Sequence, residues 1–240
     1  MRIIKILLLL SFGFSFTSFA DEGKSGFKNS SEAGIVLTGG NTDVSTLNFK
    51  EDSVYAADSN SYSLNGRYLR SANAGIEQAL QWGLGLKYER TLSPRFGIFL
   101  GELAESNIYQ GIFQRYSTDI GGKYFFYQKE KELIWLTEDG YRFTRENYFV
   151  SFKNINFLRL YTELEKFWTA TLSGKLTIEY LPNITEWKAY QFNSSISINT
   201  ALSTLFSLKT GFDLRYNNEP PVGAKANSDR VFTTSLVAKF

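Results

Sequence analysis

The sequence predicts an all-β fold, a membrane-spanning antiparallel up-and-down β-barrel of about twelve strands. Three observations predict it. Apolar and polar residues alternate in segment after segment, the connections between segments alternate short and long, and aromatic residues collect toward segment ends. A two-residue period belongs to a strand whose two faces meet different surroundings. Tilted strands of ~9–11 residues are what a closed barrel needs to cross a bilayer.

In chain order, Met1–Lys5 is basic, Ile6–Phe16 is mostly apolar, and Ser18-Phe19-Ala20 offers a small-x-small cleavage site before Asp21-Glu22. Residues 1–20 therefore read as a secretory signal peptide. Ser11, Gly13, Ser15 and Thr17 interrupt the run, which is too short for a comfortable helical span of ~20 apolar residues. With no cysteine following, a lipoprotein anchor is excluded. Residues 21–31 are expected to form a short periplasmic lead-in and residues 32–240 the barrel.

The strands are expected near 32–39, 44–55, 60–71, 77–90, 95–105, 115–127, 132–143, 154–165, 171–181, 188–200, 204–217 and 229–240. Alternation is clearest where Leu80, Trp82, Leu84, Leu86 and Tyr88 oppose Gln81, Gly83, Gly85, Lys87 and Glu89. It is least clean in the second and fifth segments. Glu51 shares a face with Leu47 and Phe49, and 96–103 is apolar on both faces.

With both termini in the periplasm, connections after even strands should be short and those after odd strands long. Thr91–Pro94 and Gln128–Lys131 fit the first set; Glu105–Gln114, Glu146–Lys153 and Asn217–Ser228 fit the second, while Gly39–Asn41 and Ser71–Gly75 are shorter exceptions. Tyr55, Tyr62, Tyr68, Trp82, Tyr88, Tyr124, Trp135, Trp168, Tyr180, Tyr190 and Tyr216 would form two interfacial girdles. In the last segment Phe232, Thr234, Leu236, Ala238 and Phe240 share a face, against Thr233, Ser235 and Lys239. Phe232, Leu236 and Phe240 should face lipid. This strand must pair with the first, because an open edge in hydrocarbon leaves backbone groups unsatisfied. An alternating strand with a terminal aromatic also resembles the signal read by the bacterial outer-membrane barrel assembly machinery, so that machinery and outer-membrane lipids are the expected partners, and the bacterial outer membrane the expected location.

Two motifs bracket the barrel. Thr38-Gly39-Gly40-Asn41-Thr42-Asp43 lies in the first hairpin, and Arg215-Tyr216-Asn217-Asn218-Glu219-Pro220-Pro221-Val222-Gly223 precedes the last strand. Together they resemble the salt-induced outer-membrane protein family, a bacterial domain family of unknown function, over roughly Ala33 to Phe240. The resemblance implies one small outer-membrane barrel and no defined activity. Gly40 is an extra residue, and Asn218 stands where many members carry Asp. The residues themselves read as turn chemistry, with glycines for positive φ and prolines to stiffen a loop.

Catalysis is not expected. With neither His nor Cys in the chain, an imidazole base cannot be paired with a nucleophile, and zinc or transition-metal binding is disfavoured. No cofactor is expected. Lys+Arg 26 against Asp+Glu 24 gives no basic excess for nucleic acid. The polar faces instead carry Arg67, Lys87, Glu89, Asp119, Lys123, Arg159, Glu163, Lys175, Glu179, Lys209, Asp213 and Arg215. Either these pair across a filled interior, or they line a narrow channel for ions or small solutes. Gly66, Gly83, Gly85, Gly121, Gly122 and Gly211 would remove bulk from the lumen and favour some cavity. Three readings stay open: a narrow channel, a non-conducting structural or envelope-stress barrel, and a soluble periplasmic β-protein.

Overall fold

The computed structural model describes residues 25–37, 44–108, 112–147, 152–220 and 226–239. Twelve strands follow one another: β1 Ser25–Leu37, β2 Val44–Ala57, β3 Asn60–Asn73, β4 Ile76–Thr91, β5 Phe96–Asn107, β6 Ile112–Lys129, β7 Leu133–Asn147, β8 Phe152–Phe167, β9 Leu172–Leu181, β10 Gln191–Ala201, β11 Phe206–Asn217 and β12 Ser228–Lys239. Each pairs antiparallel with its chain neighbours, and β12 returns to β1, so the sheet closes into a barrel. Closure satisfies both edges at once, the condition for burying a sheet in lipid.

The connections at one end are short: 58–59, 92–95, 130–132, 168–171 and 202–205. In the 130–132 turn Glu132 accepts hydrogen bonds from Lys129 and Tyr127, which hold its carboxyl below the ordinary range. The other end carries 182–190 and 218–227 as its longest loops, yet 108–111 and 148–151 are only four residues each. The expected long loops there are shorter because β5 to β8 run on past the lipid-crossing length. At this same end Ala74 and Gly75 both take positive φ, 50° and 75°, the geometry of a tight primed hairpin turn.

The strand pattern departs from expectation at the start. β1 begins at Ser25 and pairs with β2 from Ser25↔Ala57 onward, so residues 25–31 are strand and not lead-in. Asn29, Ser31, Glu51 and Ser53 alternate with apolar neighbours too weakly to show this in the sequence. They face outward and bond to one another: Asn29 Nδ2 donates to Glu51 and to Ser53 Oγ (2.9 Å), and Ser31 Oγ donates to Glu51 Oε2 at 2.5 Å. The carboxylate that seemed misplaced on the apolar face of β2 is thus given local donors.

Apart from such patches the outer surface is apolar. Leu64, Leu84, Leu86, Ile98, Leu100, Ile120, Leu160, Ile196, Ile198 and Leu208 are exposed there. Rings flank this band at both ends. Tyr55–Tyr62–Tyr88 and Tyr124–Phe126–Trp135 pack in series at the short-turn end, with centroids 4.7–6.5 Å apart. Tyr180–Tyr190–Tyr216 do so at the long-loop end, 5.8 and 5.9 Å apart. Aromatic girdles around an apolar band are the outer surface a bilayer requires.

β1 and β12 meet over Ser30↔Lys239 to Ala33↔Leu236, four residue pairs, whereas β6 and β7 pair from Gln114↔Asn147 to Lys129↔Leu133. On β12 Phe232 and Leu236 are 71% and 49% exposed, while Ser235 and Val237 are buried. The first two therefore face outward and the latter two inward. Phe240 lies outside the described residues.

Candidate functional site: the barrel lumen

The charged side chains of the polar faces meet across the interior. Lys87 Nζ on β4 lies 2.5 Å from Glu138 Oε1 on β7, two strands having been skipped, which is possible only through the lumen. Lys50 reaches Asp213 at 3.3 Å and Lys209 reaches Glu32 at 2.8 Å, both across the closing seam. All twelve charges read from the alternation stand in this interior. Arg67 pairs with Glu105; Lys87 and Lys123 bracket Glu89 at 2.8 and 3.0 Å; Arg142 grips Asp119 with Nε–Oδ1 2.6 Å and Nη2–Oδ2 2.7 Å. Arg159 Nε holds Glu179 at 2.7 Å, Lys175 holds Glu163 at 2.6 Å, and Arg215 has Glu105 at 4.0 Å.

Several partners were not found by reading the sequence: Glu32, Lys50, Glu105, Arg115, Glu138, Arg142 and Glu146. Arg115 donates to Glu146 Oε1 (2.6 Å from Nε) and to Glu105 Oε1 (3.1 Å). Glu138 is met by Lys87, by Arg159 at 3.1 Å and by Lys123 at 3.8 Å. Glu138-x-Gly140-x-Arg142 does carry the period-two signal. Thr137 and Asp139, polar on the outer face, blur the contrast that would have exposed it. Glu105, Arg115 and Glu146 lie in or at the edge of segments that read as loops.

Apolar groups also enter the lumen. Phe99 is buried beneath Lys87 and Arg159, whose charged groups sit 4.8 and 5.5 Å from its ring. Ile155, Phe157 and Leu181 form a buried cluster toward the long-loop end. Chain beyond β9 continues alongside β8, with Ile184 N donating to Asn156 O at 2.9 Å and Asn183 bridged to Phe157.

The glycines correct one expectation. Gly66 and Gly122 face outward: Gly66 sits opposite Glu51, and a Cβ on Gly122 would meet the exposed Phe96 ring. Their parity puts them with Tyr62 and Tyr124, so they open no lumen space. Gly83 does face inward, but a Cβ there would come within 2.8 Å of Arg67 Nε, and one on Gly85 would strike Asn65. These two glycines admit neighbouring polar side chains.

Open space remains beside the charges. A cavity of about 420 Å³ is lined by Arg67, Arg115, Arg142, Arg159 and Arg215 together with Glu105, Glu179, Gln191 and Asn193. A second, of about 330 Å³, is lined by Lys50, Asp52, Thr177, Ser195 and Asp213. Both share Asn65, Arg67, Tyr161, Glu179, Asn193 and Arg215, so they adjoin. Among the described residues five buried side-chain polar atoms have no protein partner. Four of them, Glu32 Oε1, Asn48 Nδ2, Ser207 Oγ and Ser235 Oγ, lie on β1, β2, β11 and β12; the fifth is Arg67 Nε.

The family-like loop residues divide. Gly39, Asn41, Thr42, Asp43, Pro221 and Gly223 lie outside the described residues. Asn218 ties two long loops: its Nδ2 donates to Lys188 O and its Oδ1 accepts from Tyr216 Oη, both at 2.8 Å. Glu219 N donates to Asn217 Oδ1 at 3.1 Å, with Pro220 following. Among these described residues the role is that of a loop staple.

A family model described as "Protein of unknown function, DUF481" matches residues 31–240, nearly the stretch over which the sequence resembles the salt-induced outer-membrane family. No curated protein matches the chain. Among solved structures, a NanC porin is similar with a TM-score of 0.52 at 9% identity, covering 88% of this chain and 97% of that one. A bacterial polysaccharide outer-membrane secretin has a TM-score of 0.47 at 6% identity, covering 90% and 98%. At 9% identity the likeness to the NanC porin is one of fold alone, that of a closed outer-membrane-type β-barrel.

Proposed function

The chain belongs to the DUF481 family of proteins of unknown function, and from that premise we propose that it is exported on its residue 1–20 signal, assembled by the outer-membrane barrel machinery among outer-membrane lipids, and works there as a narrow channel for ions or small solutes. The observation that carries this reading is the adjoining pair of lumen cavities beside a wall of short polar side chains. Charged residues of β3 to β9 line most of the larger cavity, while Thr177, Asn193, Ser194 and Ser195 give the second a wall of short side chains. Charged and polar groups line both cavities, and polar space of this size favours water within it.

The test is conductance in planar bilayers across a range of salts. Discrete steps are expected, and Ser195→Trp should lower them while the barrel keeps its altered gel mobility on boiling. Purified, heat-modifiable barrel that gives no steps would sink the channel. That outcome would favour a structural envelope barrel, for which the ion-pair chain from Asp119 through Arg142, Glu179, Arg159 and Glu138 to Lys87 is the supporting observation. Fractionation tests the location: mature protein that stays soluble without detergent would overturn the membrane reading.

A further inference from the structure

Within the larger cavity the arginines are not equally engaged. Arg142 spends two donors on Asp119 and a third on Glu179. Arg159 is divided between Glu179 and Glu138, and Arg115 between Glu146 and Glu105. Arg67 and Arg215 differ. Arg67 gives one nitrogen to Glu105, and its Nε has no partner. Among the described residues Arg215 has only the outer limit of an ion pair, Nη1 to Glu105 Oε2 at 4.0 Å.

Glu105 thus serves three guanidinium groups, those of Arg67, Arg115 and Arg215. The nearby carboxylates hydrogen-bond to other donors. Asp213 accepts from Lys50 at 3.3 Å, and Asp229, opposite Arg215 in register, accepts from Asn107 Nδ2 at 3.1 Å. Arg67 and Arg215 come from β3 and β11, and both line the two large cavities where these adjoin. Two guanidinium forks short of acceptors, meeting at one waist, match the planar or tetrahedral oxygens of a carboxylate or phosphate. Asn65 and Gln191 stand around them to serve neutral hydroxyls, with Asn193 and Tyr161, whose donors go to Glu179 and Glu163, offering their oxygens. The cavity's volume lies within the range of small-molecule sites.

We infer that Arg67 and Arg215, held beside the shared carboxylate of Glu105, form an oxyanion-binding waist for a small hydrophilic solute bearing a carboxylate or phosphate group. The inference deepens the channel reading by naming its solute class, but binding can be measured whether or not the barrel conducts.

The experiment is titration calorimetry on the whole detergent-solubilised barrel, with inorganic phosphate and malonate as separate probes. Saturable binding of one or both is expected, and the preferred probe distinguishes the phosphate from the carboxylate source. Losing a charge-assisted hydrogen bond should weaken binding about tenfold in Arg215→Gln and in Arg67→Gln, and the double variant should bind neither probe. Lys209→Gln removes a lumen cation that pairs with Glu32 outside the cavity, and should bind as the parent does. No saturable binding of either probe by the parent overturns the site. So does unchanged affinity in Arg215→Gln, or an equal loss in Lys209→Gln, which would mean general lumen charge. Heat-modifiable mobility of each variant shows that it has folded. A barrel that binds without conducting keeps the site and loses the channel; one that conducts without binding does the reverse.

Discussion

The lumen has two unlike walls. β3 to β9 present long charged side chains that interlock, with Glu138 meeting three cations and Phe99 packed beneath two of them. β10 to β12 with β1 and β2 present serines, threonines, asparagines and glycines, and hold four of the five buried side-chain polar atoms that lack protein partners among the described residues. Both walls alternate with the same period and both contain charge. The difference lies in side-chain length and mutual reach. Long charged side chains satisfy one another even beside open space, whereas short ones leave buried polar atoms without protein partners.

The largest expected effect is at the centre of the packed wall. Glu138→Ala would leave Lys87 and Arg159 without a principal carboxylate in the interior, and breaking a buried pair by removing one partner costs about 3–5 kcal/mol. Urea unfolding in lipid vesicles measures this. A loss as small as that of an exposed pair would mean that water already enters the packed wall.

A second test compares the walls from outside, where they should be alike. Phe232 on β12 is 71% exposed, so Phe232→Lys should cost about 2 kcal/mol or more in lipid. Thr233→Lys, facing the hydrated lumen, should cost far less. Equal costs in the same vesicle assay would contradict the facing of β12.

The glycines sharpen the contrast at smaller scale. Gly121 and Gly140 stand opposite each other on β6 and β7, and a Cβ on Gly140 would strike Ile120 O, a backbone atom that cannot swing aside. Gly140→Ala should therefore destabilise by about 1–3 kcal/mol, the usual cost of overpacking. At Gly211 the nearest atoms to an added Cβ are 3.5 Å away, so Gly211→Ala should stay within about 0.5 kcal/mol of the parent. Paired urea unfolding curves compare the two.

How much of this was legible in the sequence depends on what each feature requires. Phe232 and Leu236 were placed outward correctly because facing needs only parity along one strand. The faces of Gly66 and Gly122 follow equally from parity with Tyr62 and Tyr124, whereas glycine content by itself carries no facing. Lys87–Glu138 was not legible, since a pair across two intervening strands depends on barrel tilt and stagger, which no single segment encodes. Glu105, Arg115 and Glu146 escaped for a different reason. β5, β6 and β7 extend beyond the length that crosses lipid, so their outer residues looked like loop.

The smallest expected effect bears most directly on the open wall. Ser207 and Ser235 are each 2% exposed and their hydroxyls lack protein partners. If water fills that side, Ser235→Ala exchanges a protein–water hydrogen bond for a methyl against water, and unfolding free energy should shift by no more than about 0.5 kcal/mol. If the wall is dry, the same change deletes an unsatisfied buried hydroxyl and should stabilise the barrel by about 1–3 kcal/mol. A rise of that size in urea unfolding would remove the hydrated path along β10 to β12, and with it the physical difference between the two walls. A neutral result at Ser235 beside a large loss at Glu138 would place the solvent on one side of the lumen and the structural ion pairs on the other.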